Sequence, residues 1–469
     1  MNSIPHFDQD RFPVSFIDGL SVRLTALLRD GCRLRGERLL SISVALPGYR
    51  LRASPCLRPG DFYWSAPADD RRILGRGYAW RSRAGGDARF AVLDRRLARL
   101  LPLWRHEDLD ELGREPLVLT AAAFDPHDPM SGEWSAFPNA ELRVPGLLLE
   151  QDDKVCRLVL SAVHPLSPRR QVADWIDQLE ILMADVEPVA DVSRERRPDL
   201  SLEVGDDRAW LALAERALDS IRRAELDKLV LYRHSCLSGG LLNVRQLLHG
   251  LESGYPACRL ISVLEKDAEF VCASPERLLV KRGRRVFSDA LAGTAPRVGR
   301  VVGGHSWPGD LRQDRKIRRE QDLVRETIRR ALLPYCEALA DDGPPQVRPL
   351  GRLVHLHNQV SGRLRRDTSS LVLADQLHPT PAVCGSPKAR ALAWLRAEGQ
   401  SGRGWYSGFA GWLDRNGDAE LNVLIRCALL HDERVSLFAG AGLVEGSIPE
   451  DELTETELKM AALRDHLTP

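Results

Sequence analysis

The 469-residue chain is 43 % apolar and 28 % charged, the composition of an ordinary globular protein rather than a disordered or fibrous one. Lysine plus arginine balances aspartate plus glutamate at 66 each, so no global field recruits nucleic acid or an anionic membrane, and binding has to come from a local site. Nine scattered cysteines without a Cys-x-x-Cys pair argue against zinc and a disulfide framework; with no apolar leader or membrane-length stretch, they fit a cytoplasmic protein.

The first hundred residues are arginine-rich and weakly patterned, with Leu39-Leu-Ser-Ile-Ser-Val-Ala-Leu and Phe90-Ala-Val-Leu expected as strands. Leu117 to Phe124 is a clear apolar run. It opens a meander that continues through Trp134 to Phe137, Glu141 to Pro145, Leu147 to Glu150 and Val155 to Leu160. Its aromatic residues are expected in the core. A polar, proline-bearing stretch over 184–205 reads as a linker. Arg208 to Arg223 then has helical periodicity, and the charged turn after it places Lys228 at the mouth of the next strand. Only seven lysines stand against fifty-nine arginines, which singles Lys228 out, since lysine and not arginine can be tuned into a neutral base.

Strands are expected at Arg259 to Leu264 and Glu269 to Ala273, then Ser274-Pro-Glu276-Arg-Leu and Ala290-Leu-Ala-Gly-Thr294. A long helix is expected from Asp314 to Ala338. Val354 to Leu364 reads as a strand and Leu377 to Gly385 as a stiff proline-bearing loop, and further strands surround Tyr406, Arg426 and Phe438. The terminal segment Glu452-Leu-Thr-Glu455-Thr-Glu-Leu-Lys459, if helical, projects two carboxylates and an ammonium from one face at i, i+3 and i+7. Alone, such spacing usually marks a solvated face. Two carboxylates also make a poor site for Mg²⁺, which wants about six oxygens, so a third is sought upstream.

Taken in order, these segments resemble the chorismate-utilising enzymes, which include isochorismate, salicylate, anthranilate and aminodeoxychorismate synthases. The resemblance is dense over about 208–466 and thinner upstream, at Phe124-Asp-Pro and Trp134-x-x-Phe137-Pro. It implies an α+β fold with two large, stacked, mainly antiparallel β-sheets flanked by helices. Residues 1–190 would form the N-terminal β-rich half and 205–469 the chorismate-binding catalytic region, together one structural domain. Lys228 matches the water-activating base and Glu276 the acid that assists departure of the C4 hydroxyl. Glu320, Glu452 and Glu455 match Mg²⁺ ligands. Gly293, Thr294, His378, Tyr406, Arg426, Gly440, Gly442 and Lys459 match groups around the substrate.

The chemistry agrees with that assignment. Chorismate is a dicarboxylate with a poor leaving group, so it needs charge neutralisation, a proton donor at C4 and a nucleophile at C2. A lysine at 228 points to water as that nucleophile, because the aminating members carry glutamine there and take ammonia from a glutaminase subunit. None is expected here. Ala292 excludes the aminodeoxychorismate branch, which has a nucleophilic lysine at that place. The loops at His378 to Gly385 and Gly404 to Asp414 resemble those of isochorismate synthases, and salicylate synthase is the competitor. A non-catalytic homologue and a nucleic-acid-binding protein are the readings from other classes. The resemblance also implies a monomer acting on chorismate alone, away from membranes and nucleic acid. Departures from the family pattern fall at Gln321 (usually His), Asn358 (usually Thr in His-Leu-x-Thr), Leu453, Cys384 and the basic run Lys316-Ile-Arg-Arg.

Overall fold

The computed structural model describes residues 14–31, 39–184, 201–239, 244–297 and 311–467. Among them, two large sheets carry the fold, one of thirteen strands and one of ten. The first runs from Ser201–Val204 through Lys228–Ser238, Arg434–Val444, Cys427–His431, Ala268–Ser274 and Arg259–Glu265. It continues through Asp61–Ala66 to Trp104–Asp108 at the far edge. The second centres on Leu353–Leu364, Arg285–Pro296, Arg277–Arg282, Ala419–Val423, Phe409–Asp414 and Leu117–Ala122. Pairing is antiparallel except between Leu39–Ala45 and Trp104–Asp108.

Both sheets mix early and late sequence. Asp61–Ser65 pairs with Leu260–Leu264 in the first, and Leu117–Ala122 pairs with Phe409–Asp414 in the second. The inner faces bury Phe62, Trp64, Ile261 and Phe270 against Leu119, Ala121 and Trp412. Trp64 meets Trp412 edge to face at 6.3 Å, an arrangement that the ring quadrupoles favour.

Of the points where the chain passes between the sheets, two neighbouring ones matter for the site. Ala268–Ser274 leaves the first sheet and enters Arg277–Arg282 of the second through Pro275-Glu276. Ala419–Val423 returns to Cys427–His431 of the first through Leu424-Ile425-Arg426. The crossings are tied together: the Ala273 amide donates to the Arg426 carbonyl at 2.9 Å and the Val423 amide to the Glu276 carbonyl at 3.0 Å. The Ser274 hydroxyl donates to the Val423 carbonyl at 2.6 Å.

Some local expectations are corrected. Phe90 to Leu93 is not a strand but part of the helix Arg89–Leu100, because Phe90, Leu93 and Leu97 at i, i+3 and i+7 bury one face. The short turn Gly132–Trp134 interrupts the expected meander. The helix expected to reach Ala338 spans Arg315–Leu332 and gives way to a strand at Cys336–Leu339. Most of the expected linker lies outside the described residues, and its end, Ser201–Val204, is a strand. The helix at Asp207–Arg222, the strand opening on Lys228 and the helix Pro449–Arg464 form as expected. Proline in the first turn of that last helix lacks an N–H that would be unpaired there, and Glu450, Asp451 and Glu452 complement its dipole.

Candidate active site

A solvent-connected cavity of about 650 Å³ of empty space lies where the sheet crossings meet the helices Arg315–Leu332 and Pro449–Arg464, which contribute Glu320 and Lys459. Glu276, Thr294, Glu320, Tyr406, Arg426, Gly440, Gly442 and Lys459 line it, as do the apolar Val230, Leu291, Ala292 and Phe438. Residues spread over more than two hundred positions therefore face one space.

Glu276 is fully buried at its crossing, and its Oε1 has no hydrogen-bond partner. Burial, then the nearby Asp289 carboxylate, push its pKa up to about 8 against the opposing pull of Lys228. Asp289 is the fixed anion of the pair. Burial alone would raise it, but hydrogen bonds from His357 and Arg277 outweigh burial and hold it well below the carboxylate range. One carboxyl is thus kept neutral beside one kept charged.

Lys228 begins its strand completely buried, with its Nζ 2.8 Å from Glu320 Oε1. Burial raises the Glu320 carboxyl, but the ammoniums of Lys228, Lys459 and Lys316 prevail and lower it. Glu320 Oε2 accepts the Gly293 amide at 3.2 Å. That amide is available because a bulge between Ala292 and Thr294 interrupts the ladder to Leu353–Leu364, with Gly293 at φ +65°. On the terminal helix, Glu455 pairs with Lys459 at 2.6 Å, and Lys459 also donates to the Gly440 carbonyl at 2.7 Å. Glu452 pairs with Lys316 and accepts from Ser447 at 2.8 Å. Burial, then repulsion from Glu455, push Glu452 up to about 7.

Of the three glutamates, Glu320 lines the cavity and Glu452 and Glu455 stand behind its wall, each of the three against its own lysine. Their oxygens do not converge on one point; the grouping within 4.8 Å among the described residues is Asp267, His431 and Asp432, on the surface. Three carboxylates, two of which repel each other, are the donor chemistry a hard dication fits.

The same cavity carries further polar anchors. Arg426 adopts φ +56° and directs Nη2 to His355 Nε2 at 3.3 Å. Arginine can only donate, so the proton of this neutral ring sits on Nδ1, 3.1 Å from Thr294 Oγ1. Burial, then Arg426 and Lys459, keep His355 uncharged, its pKa well below the usual histidine value. Thr294 Oγ1 accepts the hydrogen bond from that N–H, which leaves its own hydroxyl hydrogen to donate into the cavity. Tyr406 stacks on Phe438 with ring centres 5.6 Å apart.

Gly442 is required by crowding. A Cβ there would lie 2.6 Å from Glu320 Oε1 and 2.8 Å from Lys228 Cε. Gly442→Ala is therefore expected to separate that pair and lower turnover by about tenfold or more, with the circular dichroism spectrum unchanged. Turnover within twofold of the unaltered chain would contradict this reading.

Not every sequence candidate lines the cavity: Lys228 and Gly293 reach it through Glu320 and Glu455 through Lys459, Glu452 stands behind against Lys316, and His378 lies elsewhere. It is buried between Phe90 and Phe409, at 6.3 Å and 5.2 Å, and does not line the cavity. Sequence reasoning gave no role to Asp289, His355 or Lys316. A lone acid in the apolar strand Val286-Phe-Ser-Asp289-Ala-Leu was the signal for the first.

A buried acid held neutral, a buried lysine, three neighbouring glutamates and an arginine in the wall are groups suited to acid–base chemistry on a small anionic ligand. The chain belongs to the chorismate binding enzyme family, whose family model matches residues 39–468. It is 31 % identical over 430 residues to the salicylate biosynthesis isochorismate synthase of Pseudomonas aeruginosa, covering 89 % of this chain and 86 % of that protein. It is 28 % identical to the isochorismate synthase MenF of Bacillus subtilis, covering 85 % and 86 % respectively. The solved structure of MenF, the menaquinone-specific isochorismate synthase of Escherichia coli, matches with a TM-score of 0.71 and 25 % identity, covering 96 % of this chain and all of that one.

Proposed function

We propose that this chain is an isochorismate synthase, which interconverts chorismate and isochorismate by adding water at C2 with loss of the C4 hydroxyl. The observation that carries the reading is the buried, unpartnered Glu276 carboxyl, pushed up to about 8 in the same cavity that Glu320, the partner of Lys228, lines. Glu276 Oε1 holds a proton at neutral pH and gives it to the departing C4 oxygen. Lys228 Nζ, once unprotonated, takes a proton from the attacking water. Arg426, Tyr406, Thr294, Lys459 and the backbone at Gly440 and Gly442 hold the two substrate carboxylates, which neutralises charge without reorganisation during reaction.

Glu320, Glu452 and Glu455 would hold Mg²⁺, which when bound supplies charge neutralisation and orientation to a substrate carboxylate. His378 acts through the loop that carries Val383 into the cavity wall. The proposal extends to a single structural domain and a cytoplasmic monomer that needs no glutaminase. Among the described residues, no helix is long and apolar enough to cross a membrane.

Incubation with chorismate and Mg²⁺, with products separated by chromatography, tests the reading. Isochorismate rising to a fixed ratio with chorismate, and lost on adding EDTA, is expected. Salicylate plus pyruvate would move the chain to the salicylate synthases, and no conversion would leave a non-catalytic homologue.

A further inference from the structure

Two of the departures from the family pattern touch each other. Gln321 is completely buried on the helix Arg315–Leu332, beside Ile317 and Val324. Its Oε1 accepts the Ala292 amide at 2.9 Å. Its Nε2 donates to the Ala290 carbonyl at 2.9 Å and to Asn358 Oδ1 at 3.0 Å. Asn358, also buried, donates in turn to the Gly343 carbonyl at 3.1 Å. The two carboxamides form a chain that spends the oxygen and both N–H groups of Gln321. An imidazole at 321 offers one donor and one acceptor and could not serve all three partners.

The position of this chain gives it a task. Glu320 and Gln321 are consecutive on the helix, and they accept consecutive amides of the bulged strand, Gly293 and Ala292. The helix grips the bulge at two adjacent points. Gln321 fixes the strand, and the strand fixes the Glu320 oxygen that faces away from Lys228. Freed from Gln321, the Ala292 amide and Ala290 carbonyl would be buried without these partners, and the bulge would shift to satisfy them. The Gly293 amide and Thr294, which follow directly, would shift with it.

We infer that Gln321 and Asn358 are positioning residues that act as one unit, locking the Ala292-Gly293 bulge so that Glu320 is held in place for the cation and Thr294 for the substrate. The inference rests on the proposed function for its substrate and on Glu320, Glu452 and Glu455 for its cation. Asn358 acts through Gln321, so the two substitutions should not add.

The test uses Gln321→Met, Asn358→Ala, the double variant and Gln321→His with Asn358→Thr, in the full chain. Mg²⁺ binding is read by titration calorimetry, kcat and KM with chorismate, and folding by thermal melts. Gln321→Met is expected to weaken Mg²⁺ binding and lower kcat by roughly tenfold each, as substitutions behind metal ligands do, with KM moving less than kcat. Asn358→Ala should act in the same direction, and the double variant should match Gln321→Met within about twofold. The His–Thr pair should recover most of the loss, whereas Gln321→His alone should not.

A merely structural pair would lower the melting temperature and leave Mg²⁺ affinity and kcat of the folded protein within twofold. That result overturns the inference, as do effects that multiply in the double variant or an unaltered chain that binds no Mg²⁺. An unaltered chain that binds Mg²⁺ but leaves chorismate untouched removes the proposed function, and the calorimetric comparison then decides the pair by itself.

Discussion

Replacing Lys228 with alanine is expected to lower kcat for chorismate by about 10³-fold, with KM changed much less, because it removes the group that activates water rather than the groups that hold the substrate. The geometry makes the effect local. Lys228 is completely buried and hydrogen-bonds Glu320 at 2.8 Å, while Arg426, Tyr406 and Thr294 line the cavity from other elements. A stability effect accompanies the catalytic one. Glu320 loses its nearest cation, a charged hydrogen bond of about 2 kcal/mol, although Lys459 and Lys316 remain close enough to lower its pKa. Turnover and melting temperature therefore have to be measured on the same preparation. Lys228→Arg keeps the charge on Glu320 but cannot act as a base at neutral pH, so it should recover stability and not activity. Activity in that variant above about a tenth of the unaltered chain would remove the assignment of Lys228 as base.

The second large effect is expected at Glu276. Glu276→Gln should lower kcat by roughly 10²- to 10⁴-fold, since an amide occupies the same space without a proton to give. The pH dependence distinguishes this from a packing defect. With a carboxyl at about 8, the unaltered chain should lose activity as pH rises through that value, and the residual activity of the variant should lack that limb.

The substitution moves stability in the opposite direction to activity. Between pH 4.5, the ordinary value, and 8, the unfolded chain releases a proton that the folded chain keeps. The unfolded state thus binds fewer protons, so the stability of the unaltered chain falls as pH rises through this window. Glutamine has no such proton, and Glu276→Gln should be more stable than the unaltered chain by up to about 3 kcal/mol at pH 7. A variant both inactive and more stable at pH 7 than at pH 5, relative to the unaltered chain, is the outcome that a neutral buried acid requires. Equal loss of stability at both values would mean that Glu276 is charged in the folded protein.

These expectations depend on features of unequal visibility in the sequence. The β-rich character was plain in the alternating and apolar runs. The strand at Lys228 and the terminal helix were legible because periodicity and flanking turn residues are local signals. Phe90 to Leu93 misled because four apolar-leaning residues fit either period, and only the wider spacing to Leu97 separates helix from strand. The early end of the helix at Leu332 is marked by Pro334, a stop signal that the expectation of a helix to Ala338 passed over. That end is also set by Cys336–Leu339 joining the sheet beside Leu353–Leu364.

For the site, residue types in family order singled out eight of the residues that line the cavity, together with Lys228 behind Glu320, because chemistry restricts which side chains can serve. His378 looked equivalent by motif, yet its ring packs between Phe90 and Phe409, and no sequence pattern records which way a loop side chain turns. Gln321 and Asn358 read as two separate departures, thirty-seven positions apart, until they met at 3.0 Å.

The sequence by itself determined the chemical inventory: which carboxylates, lysines and arginines are present, and which local elements carry them. Only the tertiary structure decided their states. The neutrality of Glu276 follows from burial at a crossing between two sheets beside a charged Asp289, and the charge of Glu320 from three lysines brought by separate elements. Residue identity fixes an intrinsic acidity, whereas desolvation and neighbouring charge depend on distance, and distance between remote residues exists only once the chain has folded.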